Sequence, residues 1–241
     1  MDPTWIVLPL GVVAGALTTV AGVGGGLLAT LVLAAAWDPH AALAVTAPAL
    51  LMGNAHRLWL FRRELDPRAG AWLAGPALLG AVGGGLLTAA LPDGVLRWLL
   101  LGVSALALVR ERGRASWVPG GRPLLMAGGL LVGFVTAAAG GGGLLLAPLL
   151  LAAGLRGARL IAAGALVGVT IHVARISTYG GTGLLGSAEL PAAIALGTAI
   201  LLGNTLGRRL RPRLGEARCH RITWITLLSG VGLAVLGLGR S

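Results

Sequence analysis

The chain has 241 residues, of which 56% are hydrophobic and only 11% charged. A soluble domain carries about 25% charged residues, so the composition excludes an ordinary soluble fold and indicates an integral membrane protein. All 19 basic residues are Arg. They give a net charge of +11 but sit mostly in short loops between apolar runs, which fits the positive-inside rule and argues against nucleic acid as a partner. The single Cys219 excludes an intrachain disulfide and a Cys-based metal site.

Apolar runs of about 20 residues mark segments at 5–36, 41–61, 70–91, 95–109, 123–155, 159–179, 189–206 and 221–239. The opening MDPTWIVLPLG has no basic stretch before its apolar run, so no cleaved signal peptide is expected. The first segment contains TTVAGVGGGLLAT, with Gly22, Gly24, Gly25 and Gly26 at its middle. Each Gly weakens a helix by about 1 kcal/mol against Ala, so the segment should break there. It is too long for one crossing and too short for two. The second segment carries Asn54 and Arg57 on one helical face. The fifth is again overlong and is broken by Gly140, Gly141, Gly142 and Gly143. The sixth carries His172 and Arg175.

These features repeat at an offset of 118 residues: Gly15 with Gly133, Thr18 with Thr136, Gly22 with Gly140, Asn54 with His172, Arg57 with Arg175. An internal duplication follows, with a first repeat over 1–115 and a second over 116–241. Arg-rich loops lie at 62–68, 110–122, 155–159 and 207–221, and Arg-poor loops at 37–40, 92–96 and 180–188. If both glycine-broken segments dip into the membrane and return on the same side, every Arg-rich loop becomes cytoplasmic and both termini external. Each half then has three transmembrane helices plus one re-entrant hairpin, and the halves are inverted relative to each other. The expected fold is therefore an all-α polytopic membrane protein of two inverted repeats, which is a transporter architecture. Trp5, Trp37, Trp59, Trp72 and Trp98 fall near span ends, as an interfacial aromatic belt requires.

Non-helical backbone at membrane depth must be buried in protein or line a cavity. The helix after each turn starts with N–H groups that lack an intrahelical partner and favour anions. Close helix packing is the plainer use of such glycines. All eight acidic residues lie in loops or at span ends, which argues against a cation carrier. Asn54 and His172 can donate hydrogen bonds, and Arg suits oxyanions because its fork of donors matches them. Arg57 also reads as snorkelling to the cytoplasm, and His172 as an interhelical hydrogen-bonder. Thr18 and Thr136 are weaker candidates, since Thr in membrane helices bonds its own backbone. The substrate-binding set is thus Gly22, Gly24, Gly25, Gly26, Asn54, Arg57, Gly140, Gly141, Gly142, Gly143, His172 and Arg175. His40, His56 and His220 show no metal-ligand spacing, and no nucleophile–base pair or nucleotide motif occurs, so neither an enzyme nor a cofactor is expected.

The stretch GVVAGALTTVAGVGGG (11–26), its second copy GLLVGFVTAAAGGGG (129–143) and LDPRAGAWLAGPALLGAVGGGLL after the second span resemble the sulfite exporter TauE/SafE family over nearly the whole chain. The resemblance implies a multi-pass permease of the bacterial inner membrane for sulfite, sulfonates or similar oxyanions. Thr30 stands where the second copy has Pro148, and the family often has Pro there, so the two arms should differ in rigidity. The expected function is transport of a small sulfur-containing or organic oxyanion by alternating access, with that anion and the lipid bilayer as partners and a homodimer left open. The alternatives are a non-transporting helical scaffold and a permease for another small anion such as a carboxylate.

Overall fold

The computed structural model describes residues 3–22, 24–113 and 121–214, with positions 221, 225 and 228 beyond them. The described residues form α1 (Val7–Ala21), α2 (Gly25–Ala36), α3 (Pro39–Leu60), α4 (Pro67–Ala90), α5 (Asp93–Gly113), α6 (Arg122–Ala139), α7 (Gly143–Ala152), α8 (Gly157–Gly181) and α9 (Leu190–Leu210), with short 3-10 turns and no strand. The overlong first and fifth segments are each broken at their glycine cluster, and the other segments up to 206 are single helices. The expected last segment, 221–239, lies almost wholly outside the described residues.

By length and composition, 70–90, 122–139, 157–181 and 190–213 can each cross a membrane. α1 and α2 are shorter apolar helices. α6, read from the sequence as one arm of a hairpin, has 18 residues, about 27 Å at 1.5 Å per residue, and is long enough to cross by itself. α3 has 22 residues and so the length, but carries Asn54, His56 and Arg57. Its start is well defined: Asp38 accepts a hydrogen bond from the Ala41 N–H at 2.8 Å, and Pro39 occupies the first turn.

The helices pack into two cores. One joins α1, α2 and α3 to α9 through Leu10, Ala14, Leu28, Leu33, Val45, Leu196 and Ile200. The other joins α6, α7 and α8 to α4 through Leu73, Ala77, Val132, Leu146, Leu150 and Ile171. Each half of the chain therefore lends its fourth helix to the core of the other half.

Two parallel seams fix that exchange. A Cβ at Gly11 would meet the Leu196 carbonyl, and one at Gly15 the Ile200 carbonyl. On the other side of the same seam, Gly203 faces the Val12 carbonyl and Gly207 the Ala16 carbonyl. Between α6 and α4 the same contacts recur, Gly129 on Leu73, Gly133 on Ala77, Gly80 on Leu130 and Gly84 on Phe134. Only glycine allows backbones to approach this closely, and van der Waals packing is what holds helices together in lipid. α3 and α8 cross antiparallel between the cores, with Gly168 against Asn54.

The ends of the bundle differ in charge. Arg62, Arg63, Arg68, Arg122, Arg156, Arg159, Arg208, Arg209, Arg211 and Arg213 gather where α3 and α9 finish and α4, α6 and α8 begin. The opposite end, where α3 and α5 begin, carries Asp38, His40 and Asp93. Trp5, Trp59 and Trp98 are exposed near helix ends, and Arg62 and Arg122 lie over the rings of Trp59 and Trp72 at 5.1 and 5.0 Å.

Candidate functional site

The site is built from the two breaks. α1 stops because Gly22 (φ 86°) and Gly24 (φ 101°) take up left-handed backbone, and α6 stops because Gly140 (φ 66°) and Gly141 (φ 70°) do the same, a conformation open to glycine at little cost. The next helices then restart. The first closing bonds run from Leu28 N–H to the Gly24 carbonyl in α2 and from Leu146 N–H to the Gly142 carbonyl in α7, both 3.0 Å. In α7 the Leu145 N–H shares the Gly142 carbonyl at 3.0 Å. The N–H groups at the very start of each helix, before these bonds, have no residue four positions back within the helix to accept them, and neither cap glycine has a side chain to satisfy them.

Both turns open onto one cavity of about 90 Å³. Gly22, Gly24 and Gly26 of the first break line it, with Gly140, Gly141 and Gly143 of the second, Asn54 and Arg57 of α3, and His172 and Arg175 of α8. Its apolar walls come from both cores, Ala14 and Ile200 from one, Val132, Leu146, Leu150 and Ile171 from the other. Gly25 and Gly142 stand apart from this set. A Cβ at Gly25 would run into the Ala14 carbonyl and the Thr18 hydroxyl, and one at Gly142 into the Thr136 hydroxyl. Their place is the closure of each hairpin. Thr18 and Thr136 line the cavity, but their hydroxyls donate to Ala14 O and Val132 O at 2.6 and 2.5 Å, the local bonding that makes membrane-helix Thr a weak candidate.

Arg57 and Arg175 are both buried. Arg57 Nη1 donates to Thr18 O at 3.2 Å and Gly22 O at 3.5 Å, at the end of α1, and Nη2 donates to Asn54 Oδ1. Arg175 Nη2 donates to Leu43 O at 3.0 Å and Thr46 Oγ1 at 3.5 Å on α3. Its Nε donates to Tyr179 Oη at 3.4 Å, and its guanidinium lies 5.3 Å from the Tyr179 ring centroid. Arg175 Nη1 is 3.3 Å from His172 Nδ1. Guanidinium only donates, so Nδ1 accepts and the ring proton sits on Nε2. Among the described residues no carboxylate lines the cavity. A buried cation without a counter-ion costs several kcal/mol unless something else compensates it, and two such cations beside two helix N-termini favour a negatively charged guest.

Three features escape a reading of the sequence alone. Asn204 on α9 lines the cavity, donates to Gly53 O at 2.9 Å and accepts from Thr19 Oγ1 at 2.9 Å, so it ties α9 to α3 and α1. An Asn inside an apolar span is the signal for it. Thr30, fully buried, lines the cavity and its hydroxyl donates to Gly26 O at 2.9 Å, where Pro148 in α7 has no hydroxyl to offer. Asp38, His40 and Asp93 bring ligand atoms within 4.8 Å of one another, contrary to the spacing argument, because Asp93 approaches from another helix. They lie at helix ends outside the cavity, and the two His40 ring nitrogens already face the Asp93 carboxylate and the Thr88 carbonyl.

No curated protein and no solved structure matches the chain. The family model described as sulfite exporter TauE/SafE matches residues 7–235. Described residues that are almost all helical, with long apolar spans, and a match that covers almost the whole length of the chain lead to one conclusion: the protein belongs to the sulfite exporter TauE/SafE family of membrane transporters.

Proposed function

We propose that this chain is a permease that carries a small sulfur-containing oxyanion, of the sulfite or sulfonate class, across the bacterial inner membrane by alternating access. The observation that carries the reading is the cavity, which holds Arg57, Arg175, His172 and both glycine turns and, among the described residues, no carboxylate. In this reading the turns offer backbone N–H groups, Asn54 and His172 orient the anion, and the arginines supply the charge. A volume of about 90 Å³ is space for about six to nine waters, each needing roughly 10–15 Å³. That suits one compact anion rather than an extended chain.

The halves 1–115 and 116–241 are read as inverted repeats. The recurrence of the glycine–carbonyl seams and the antiparallel crossing of α3 and α8 support this. The Arg-rich end is assigned to the cytoplasm by the positive-inside rule, with both glycine-broken hairpins re-entrant. Movement of the two cores against each other at the α3–α8 crossing would expose the cavity to each side in turn.

The test is a thermal-shift panel on the purified protein with sulfite, thiosulfate, a short sulfonate and a small carboxylate. A ligand at 100 times its Kd adds about 2.7 kcal/mol to stability, so a sulfur oxyanion should raise Tm and carboxylate should not. A shift with carboxylate alone would change the substrate class. No shift with any anion would favour a scaffold.

A further inference from the structure

The two ends of the cavity differ in their chemistry. At the Asp38 end, Arg175 of α8 reaches out of its own core and bonds Leu43 O and Thr46 Oγ1 of α3. Tyr179, fully buried, takes the Arg175 Nε–H, and its own hydroxyl donates to Ala137 O at 2.5 Å. Tyr179 thus anchors Arg175 to the end of α6. Around it Leu43, Ala47, Leu96 and Tyr179 form an apolar cluster that joins α3, α5 and α8. Leu43, Thr46 and Tyr179 are solvent-free and do not line the cavity.

At the Arg62 end the corresponding arginine, Arg57, bonds α1 within its own core and donates nothing to α8. The 118-residue offset explains why. It puts Phe61 where the other end has Tyr179 and Gly164 where the other end has Thr46. Neither offers a side-chain hydrogen bond. Gly164 lines the cavity and is half-exposed, and Gly22 is half-exposed where Gly140 is buried.

We infer that Tyr179, Arg175 and Thr46 form a tie that holds the Asp38 end shut and has no counterpart among the described residues at the Arg62 end, so that the resting transporter keeps its cavity open towards the Arg62 side. Tyr179 is a positioning residue that acts through Arg175. The inference rests on the carrier reading above and adds to it the side on which the empty protein waits. Losing one hydrogen bond of about 1 kcal/mol changes a two-state population about fivefold.

The experiment uses the full chain with Cys219→Ser, in liposomes, and a membrane-impermeant maleimide applied from each side. Ala47→Cys reports the Asp38 end and Gly164→Cys the Arg62 end. With the tie intact, Gly164→Cys should label readily and Ala47→Cys slowly. Adding Tyr179→Phe should raise Ala47→Cys labelling about fivefold and slow that of Gly164→Cys. A purely structural role for the hydroxyl would leave both rates unchanged, and that result would overturn the tie. If Tyr179→Phe fails to assemble, Thr46→Ala is read in its place, with the same opposed change expected and unchanged rates again decisive against the tie. Neither labelling rate depends on substrate. A protein that shows the opposed shift but binds no oxyanion removes the carrier reading and keeps the tie, whereas binding without the shift removes the tie alone.

Discussion

Arg57 and Arg175 stand 118 residues apart and both line the cavity, yet one binds within its core and the other bridges two. Arg57 is held by the carbonyls at the end of α1 and by Asn54. Arg175 is held by α3 and by Tyr179. The same residue type at two positions 118 residues apart therefore does two jobs. Near Arg57 the bonds position a charge beside a glycine turn. Near Arg175 they also join α8 to α3, so that charge and packing are no longer separable. An arginine in a membrane helix has to be judged by what accepts its hydrogens, not by its position in a pattern.

The comparison can be broken most severely at the seams. Gly15→Val and Gly133→Val would each drive a side chain into a carbonyl of the helix alongside. Both should abolish recovery of monodisperse protein by size-exclusion chromatography, and to the same degree. A variant that assembles normally would show that the two seams are not equivalent.

The arginines come next. Arg57→Gln should lower oxyanion affinity more than tenfold, as expected for loss of a charged hydrogen-bond donor worth about 1.5–3 kcal/mol, with little change in Tm. Arg175→Gln should lower affinity and Tm together, because it also releases Leu43 O and Tyr179. Isothermal titration and a thermal melt on each variant separate the two patterns. Equal melting temperatures would remove the bridging role.

Asn204→Ala leaves Gly53 O and Thr19 Oγ1 without their partner and should destabilise by about 1–3 kcal/mol, read as a lower Tm with anion binding retained. The mildest change is Gly143→Ala. A Cβ there meets nothing within 4 Å and stands at the cavity wall, so affinity should fall a few-fold at unchanged Tm. Gly142→Ala, one residue earlier, strikes the Thr136 hydroxyl and should lower Tm instead.

The helix breaks were legible in the sequence because glycine clusters inside overlong apolar runs leave the chain few alternatives. The gathering of Asn54, Arg57, His172 and Arg175 was legible because polar groups in such spans have few places to go. The exchange of α4 and α9 between cores was not. The matching seam residues Gly80 and Gly203, or Gly84 and Gly207, are 123 positions apart, because α8 is longer than α3 (25 residues against 22) and the connection from α8 to α9 is also longer than that from α3 to α4. A single offset of 118 passes over them. The distinct places of Gly25 and Gly142 were equally hidden, since neighbouring glycines look alike until the hairpin closes and one of them faces a threonine. Tyr179 stands alone as the chain's one tyrosine, but its importance depends on Ala137, a contact made across 42 residues.

The seam between α1 and α9 has a consequence for how the protein is made. Synthesis delivers Gly11 and Gly15 first and their docking site at Leu196–Ile200 near the end. During that interval the narrow glycine face of α1 has only lipid or the insertion machinery to cover it. The opposite seam closes much sooner, since α4 is already in place when α6 emerges. The half that is translated last is thus the first able to complete its interior, and the half translated first must wait for it.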